Sequence, residues 1–153
     1  MKWKHPPIIK IYEALGAVAD GRIEISGNTA KVYSSSRNKY YEVSYDPEKR
    51  AIMANDNGSF WKGYLGYPSI AFLMKAGIIS YEPNVGDLLK GVAWKDINQK
   101  HKNDFDKALK EILSSKTEGE RRLLVDFAFK IDDEIKGLNL GILGKKAKPP
   151  EGY

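Results

Sequence analysis

Apolar positions recur at helical spacing at the start of the chain, at a spacing of two through its middle, and at helical spacing again to its end. Pro6 and Pro7 are well placed to open a helix, and behind them Ile8, Ile11, Tyr12, Leu15, Val18 and Ala19 share one face until Asp20-Gly21 ends it. From Arg22 to Asp56 the period is two, in Ile23 with Ile25, Ala30 with Val32, and Tyr41, Val43 and Tyr45. Turn residues at Ser26-Gly27-Asn28, Ser35 to Asn38 and Asp46-Pro47 separate these runs, which predicts four short antiparallel strands.

A glycine-aromatic stretch from Phe60 to Tyr67 leads into Pro68 and Ser69, which read as the opening of a short apolar helix, Ile70 to Ala76, closed by Gly77. That helix has no polar face, so it is expected to be buried and, with the first helix, to cover the sheet. After a loop around Pro83 to Gly86, a stripe runs through Trp94, Ile97, His101, Phe105, Ala108, Leu109, Ile112 and Leu113, as one long helix or two. Thr117 and Glu120 form a capping-box pattern ahead of Leu123, Leu124, Phe127, Ala128, Ile131 and Ile135, with Gly137 expected to end the helix. The fold class is therefore α+β: an N-terminal helix, a four-stranded antiparallel meander, a short buried helix and a C-terminal helical pair. Residues 1–144 read as one domain and 145–153 as a basic, Pro-containing tail, with an apolar docking segment at Leu138, Leu140, Ile142 and Leu143.

Composition supports folding and narrows the chemistry. A chain of 153 residues, 42% hydrophobic and 29% charged, is long enough for one domain, which buries about 68–70% of its unfolded surface. The absence of cysteine removes disulfides, thiolate metal ligands and a cysteine nucleophile, and favours a reducing compartment. With no apolar run long enough for a signal peptide or a membrane span, the expected location is cytoplasmic. The net charge of +5 suits a polyanionic partner only mildly, because 25 basic residues are offset by 20 dispersed acidic ones. A Lys- and Glu-rich chain whose sole glutamine is Gln99 has the composition of a heat-adapted protein.

Across roughly residues 10 to 80, the order of helix, two strand pairs and short apolar helix resembles a SWIM-type zinc finger module. Val32-Tyr33-Ser34 and Tyr40-Tyr41-Glu42-Val43 match the strand pair of that family, and Gly66-Tyr67-Pro68 before Ser69-Ile70-Ala71 matches the Cys-x-His that opens its short helix. The zinc positions, near Ile52 to Asn55 and at Gly66 and Pro68, hold no ligand here. The resemblance thus implies a metal-free derivative, its core held by packing of Phe60, Trp61, Tyr64 and Tyr67, and a role in binding nucleic acid or protein.

No catalytic motif is legible. Asn139-Leu140-Gly141-Ile142-Leu143-Gly144-Lys145-Lys146 fails as a phosphate loop, since Asn139 replaces the first glycine and Lys146 the metal-binding hydroxyl. Asn55-Asp56-Asn57-Gly58 reads as a turn, not a calcium loop, for want of a closing Glu. The two histidines, His5 and His101, cannot make a multi-histidine site. No cofactor and no metal is expected.

The most unusual segment is the aromatic and basic band of Arg37, Lys39, Tyr40, Trp61, Lys62, Tyr64 and Tyr67. Aromatic rings interleaved with cations stack bases and hold phosphates, whereas the same tyrosines also suit the packing of a sheet on helices. The expected function is a non-enzymatic binding module contacting nucleic acid or another protein through this band. The rivals are a homo-oligomer formed through the amphipathic C-terminal helices, with Phe127 and Ile131 at its interface, and a small enzyme whose site is scattered in sequence.

Overall fold

The computed structural model of the chain describes residues 1–151, so the last two positions of the basic tail, 152 and 153, lie outside the described residues. Helix α1 (Ile9–Ala19) starts just behind the proline pair, and Lys10 and Glu13 are its only charged residues. The single apolar face expected from spacing is in fact most of its circumference: Ile9 and all residues from Ile11 to Ala17 are buried. A helix apolar nearly all round belongs inside.

Strands β1 (Ile23–Ser26), β2 (Thr29–Tyr33), β3 (Tyr40–Asp46) and β4 (Ala51–Ala54) form the antiparallel meander read from the alternation. Register places Ile23, Val32 and Tyr41 side by side on the inner face, and Ala30, Val43 and Ala54 in the next row. The outer face carries Glu24, Lys31 and Glu42 opposite one another, a cross-strand row of alternating charge. A fifth strand, β5 (Gly141–Ile142), joins the edge parallel to β4, pairing Ile142 with Ile52. Two residues carry no alternation, which is why the sequence showed only an apolar segment there.

Helix α2 (Tyr67–Lys75) lies across the inner face against all four meander strands, and α1 packs along α2. The segment expected to be a loop is instead the short helix α3 (Pro83–Gly86), opened by Pro83, and a 3₁₀ turn (Asp87–Leu89), both packed on α1. The following stripe is two helices, α4 (Trp94–Lys100) and α5 (Phe105–Ser114), broken where Lys102 and Asn103 take left-handed φ of 52° and 61°.

Helix α6 (Glu118–Leu138) opens with the predicted capping box of Thr117 and Glu120. It runs past Gly137 and ends at Asn139, whose φ of 49° makes it the left-handed terminator. Phe127 and Ile131, offered as an interface between copies, are core residues with 8% and 0% exposure, because the apolar stripe of α6 packs against the same domain. No helix among the described residues is long and apolar enough to cross a membrane.

The N-terminal arm closes the structure. The Trp3 indole donates to the Ile52 carbonyl at 2.8 Å, and its backbone N–H donates to Leu140 O at 3.1 Å. His5 then meets Asp132 of α6 at 2.5 Å, and Lys136 lies 3.2 Å from the same carboxylate. Burial alone would raise the Asp132 carboxyl, but these two partners hold it below the ordinary value.

Candidate nucleic-acid interface

The chain leaves β4 through Asn55, whose side-chain oxygen accepts from the Glu42 N–H at 2.8 Å. Asp56 then turns its carboxylate inward, where it accepts from the Ser59 hydroxyl at 2.6 Å and the Ser59 N–H at 3.2 Å. Burial pushes this carboxyl above its ordinary value, and the Ser59 hydrogen bonds and the Lys10 charge oppose the rise. Around that anchor, Gly58–Lys62 forms a single π-helical turn, closed by Gly63 at a left-handed φ of 74°. Gly66 passes so close to the Asp56 carboxylate that there is no room for a β-carbon.

A turn held in this way presents Trp61 outward. Its side chain is 64% exposed, and Phe60 braces it edge-on with ring centroids 4.6 Å apart. Lysines from three separate segments lie on or beside this turn. Lys62 is adjacent and exposed. Lys4 reaches the turn through the N-terminal arm, its N–H donating to Gly63 O at 3.0 Å and its carbonyl accepting from Leu65 N–H at 3.1 Å. Lys146 comes from the tail, with Nζ 3.2 Å from where a β-carbon on Gly63 would stand. None of these three forms an ion pair among the described residues. Exposed aromatic rings with lysines nearby are the general arrangement on which single-stranded bases stack while cations meet phosphates.

The residues read from the first half of the band form a second patch at the β2–β3 turn. Arg37, at a φ of 62°, donates from Nη2 to Asp20 O at 2.8 Å and so ties the hairpin to the end of α1. Lys39 lies over the Tyr41 ring at 5.6 Å. Burial and then the Lys95 charge hold Lys39 below the usual lysine value. Tyr40 is exposed on the outer sheet face, with Tyr33 at 5.6 Å and Lys31 at 5.0 Å from its ring. The patch shares with the Trp61 turn the end of the sheet where β3 begins and β4 ends.

Tyr64 and Tyr67 do not join either patch, a correction to the band as read from sequence. Tyr64 turns inward beside Lys10, and burial raises its pKa. Tyr67, the first residue of α2, packs edge-on against Tyr41 at 6.1 Å. Its hydroxyl is enclosed near Arg22 and Glu13 and held well above the ordinary phenol value by burial. Position explains the split: Trp61 rides the outer side of the π turn, whereas Tyr64 and Tyr67 flank Gly66, where the chain dives to start α2. Lys4 and Lys146 escaped the sequence reading because tertiary closure alone brings them beside residue 63.

A family model described as Uncharacterised conserved protein UCP014422 matches residues 3–141. No curated protein and no solved structure matches the chain.

Proposed function

We propose that this chain, which belongs to the UCP014422 family, binds single-stranded nucleic acid, with Trp61 as the stacking residue and Lys4, Lys62 and Lys146 as phosphate contacts. The observation that carries the reading is the convergence of the N-terminal arm and the tail at Gly63, which closes the π turn that bears one exposed indole. Each segment adds a cation, and among the described residues no carboxylate pairs with it. Tyr40, with Lys31 and Tyr33, extends the surface as a second stacking position. The SWIM-type resemblance, in a form without zinc ligands, points to binding as well.

A single strand suits this surface better than a duplex, because stacking on one indole needs an unpaired base, and a base stacked on an aromatic ring is worth about 1–3 kcal/mol. The test is tryptophan fluorescence titrated with random-sequence single-stranded and duplex oligonucleotides at several salt concentrations. Saturable quenching by the single strand is expected, weaker for the duplex, falling steeply between about 50 and 200 mM salt and absent in Trp61→Ala. An unchanged signal with both oligonucleotides at low salt would overturn the proposal.

A further inference from the structure

A cavity of about 190 Å³ lies beneath the N-terminal arm at the end of α6, apart from the Trp61 turn. Its origin is a corner in the chain. Asn139 takes a left-handed φ of 49°, so α6 stops there and the chain swings into β5. The arm crosses this corner on backbone hydrogen bonds: Trp3 N–H donates to Leu140 O at 3.1 Å, Lys4 N–H to Gly63 O at 3.0 Å, and Leu65 N–H to Lys4 O at 3.1 Å. Backbone strung between β5 and Leu65 in this way bridges the corner without filling it.

The lining divides by chemistry. Trp3 and the buried Leu65 and Ile135 supply an apolar floor, and the exposed residues Lys4, His5 and Lys136 supply a polar rim. That rim carries more positive than negative charge. Among the described residues Lys4 has no ion pair, whereas His5 and Lys136 share the one carboxylate of Asp132, at 2.5 and 3.2 Å. Even with His5 counted as neutral, two ammonium groups stand against one carboxylate, a surplus of one charge. The Asp132 pairing also takes only one of the three N–H donors of Lys136.

A single surplus charge above an apolar floor sets the class of ligand. An inorganic anion gains nothing from indole and aliphatic walls, and an uncharged hydrocarbon leaves the rim unused. An acid with one carboxylate and a short apolar body uses both, the carboxylate taking charge-assisted hydrogen bonds from the lysines. The volume is room for about six waters at ~30 Å³ each, which limits the ligand to roughly six to ten heavy atoms.

We infer that this cavity binds a small organic monocarboxylate, its apolar body on Trp3, Leu65 and Ile135 and its carboxylate between Lys4 and Lys136. The inference stands apart from nucleic-acid binding, since Lys4 is the one residue common to both and the test uses no oligonucleotide. The experiment is an NMR titration of the full chain with acetate, butyrate, hexanoate and benzoate, reading the three indole N–H signals, with that of Trp3 identified by its loss in Trp3→Phe. Hexanol and hexylamine carry the same body without the negative charge, and inorganic phosphate carries the charge without the body. The expected result is a saturable shift of the Trp3 signal at millimolar hexanoate, with Kd falling roughly fourfold for each methylene between acetate and butyrate. Lys4→Gln and Lys136→Gln, both at exposed positions, should each weaken binding about threefold, and Lys130→Gln should leave it unchanged. A Trp3 signal that no carboxylate moves, or that hexanol, hexylamine or phosphate moves as strongly as hexanoate, would overturn the inference. So would a hexanoate affinity that neither Lys4→Gln nor Lys136→Gln reduces.

Discussion

The Ser59 hydroxyl donates to Asp56 Oδ1 at 2.6 Å and the Ser59 N–H to Oδ2 at 3.2 Å, so one buried carboxylate holds Ser59 by two bonds in the first turn after β4. Removing it in Asp56→Ala leaves those donors unpaired, which costs about 1–3 kcal/mol. The same carboxyl gives a pH signature. Its folded pKa is raised above the ordinary 3.8, so the folded chain keeps the proton to a higher pH than the unfolded chain does. Its contribution to stability is therefore greatest below the unfolded value and is lost as pH rises through the folded one. Urea midpoints measured across pH should show this decline in the wild type and lack it in Asp56→Asn.

Gly66→Ala should destabilise by about 1–3 kcal/mol, the usual cost of overpacking, because the new β-carbon meets the Asp56 carboxylate. Gly63→Ala should cost about 1–2 kcal/mol for a different reason, its φ of 74°. Urea denaturation measures both. In the Asp56→Ala background the Gly66→Ala cost should shrink, because its colliding partner is gone, while the Gly63→Ala cost should not.

Trp3→Phe removes the 2.8 Å bond to Ile52 O and should lower stability by about 1 kcal/mol. Since Trp3 docks the arm that delivers Lys4 to Gly63, the substitution should also weaken oligonucleotide binding without touching the binding surface. Fluorescence anisotropy with a labelled single strand checks this.

Lys4→Gln, Lys62→Gln and Lys146→Gln should each reduce the slope of log K against log salt by about 0.7, the counterion release of one single-strand phosphate contact. All three side chains belong to exposed residues, so thermal midpoints should stay within error of the wild type. Lys130→Gln, far along α6 and also exposed, should leave the slope unchanged.

Much of this fold is legible in the sequence because the signals are local. Alternation in Ala30 to Val32 and Tyr41 to Tyr45 marks the strands, and Thr117 with Glu120 marks the start of α6. What escaped depends on closure of the chain in space. β5 is a strand only because Ile52 is beside Ile142, and Asn139 ends α6 because it takes the left-handed conformation that Gly137 leaves unused. The candidate site divides along the same line. Trp61 and Lys62 are visible as an aromatic beside a cation, while the inward turn of Tyr64 beside Lys10 and of Tyr67 onto Tyr41 is a matter of tertiary packing. Lys4 and Lys146 enter through the Trp3 and β5 docking, which no stretch of sequence displays.

The most direct test is ultraviolet cross-linking of the wild-type chain to a random-sequence single strand at low salt, with the adducts mapped by mass spectrometry. The account predicts a nucleotide adduct on the peptide that contains Trp61, with any second adduct at Tyr40. A chain that forms no adduct, or forms adducts only on peptides away from both residues, would contradict it.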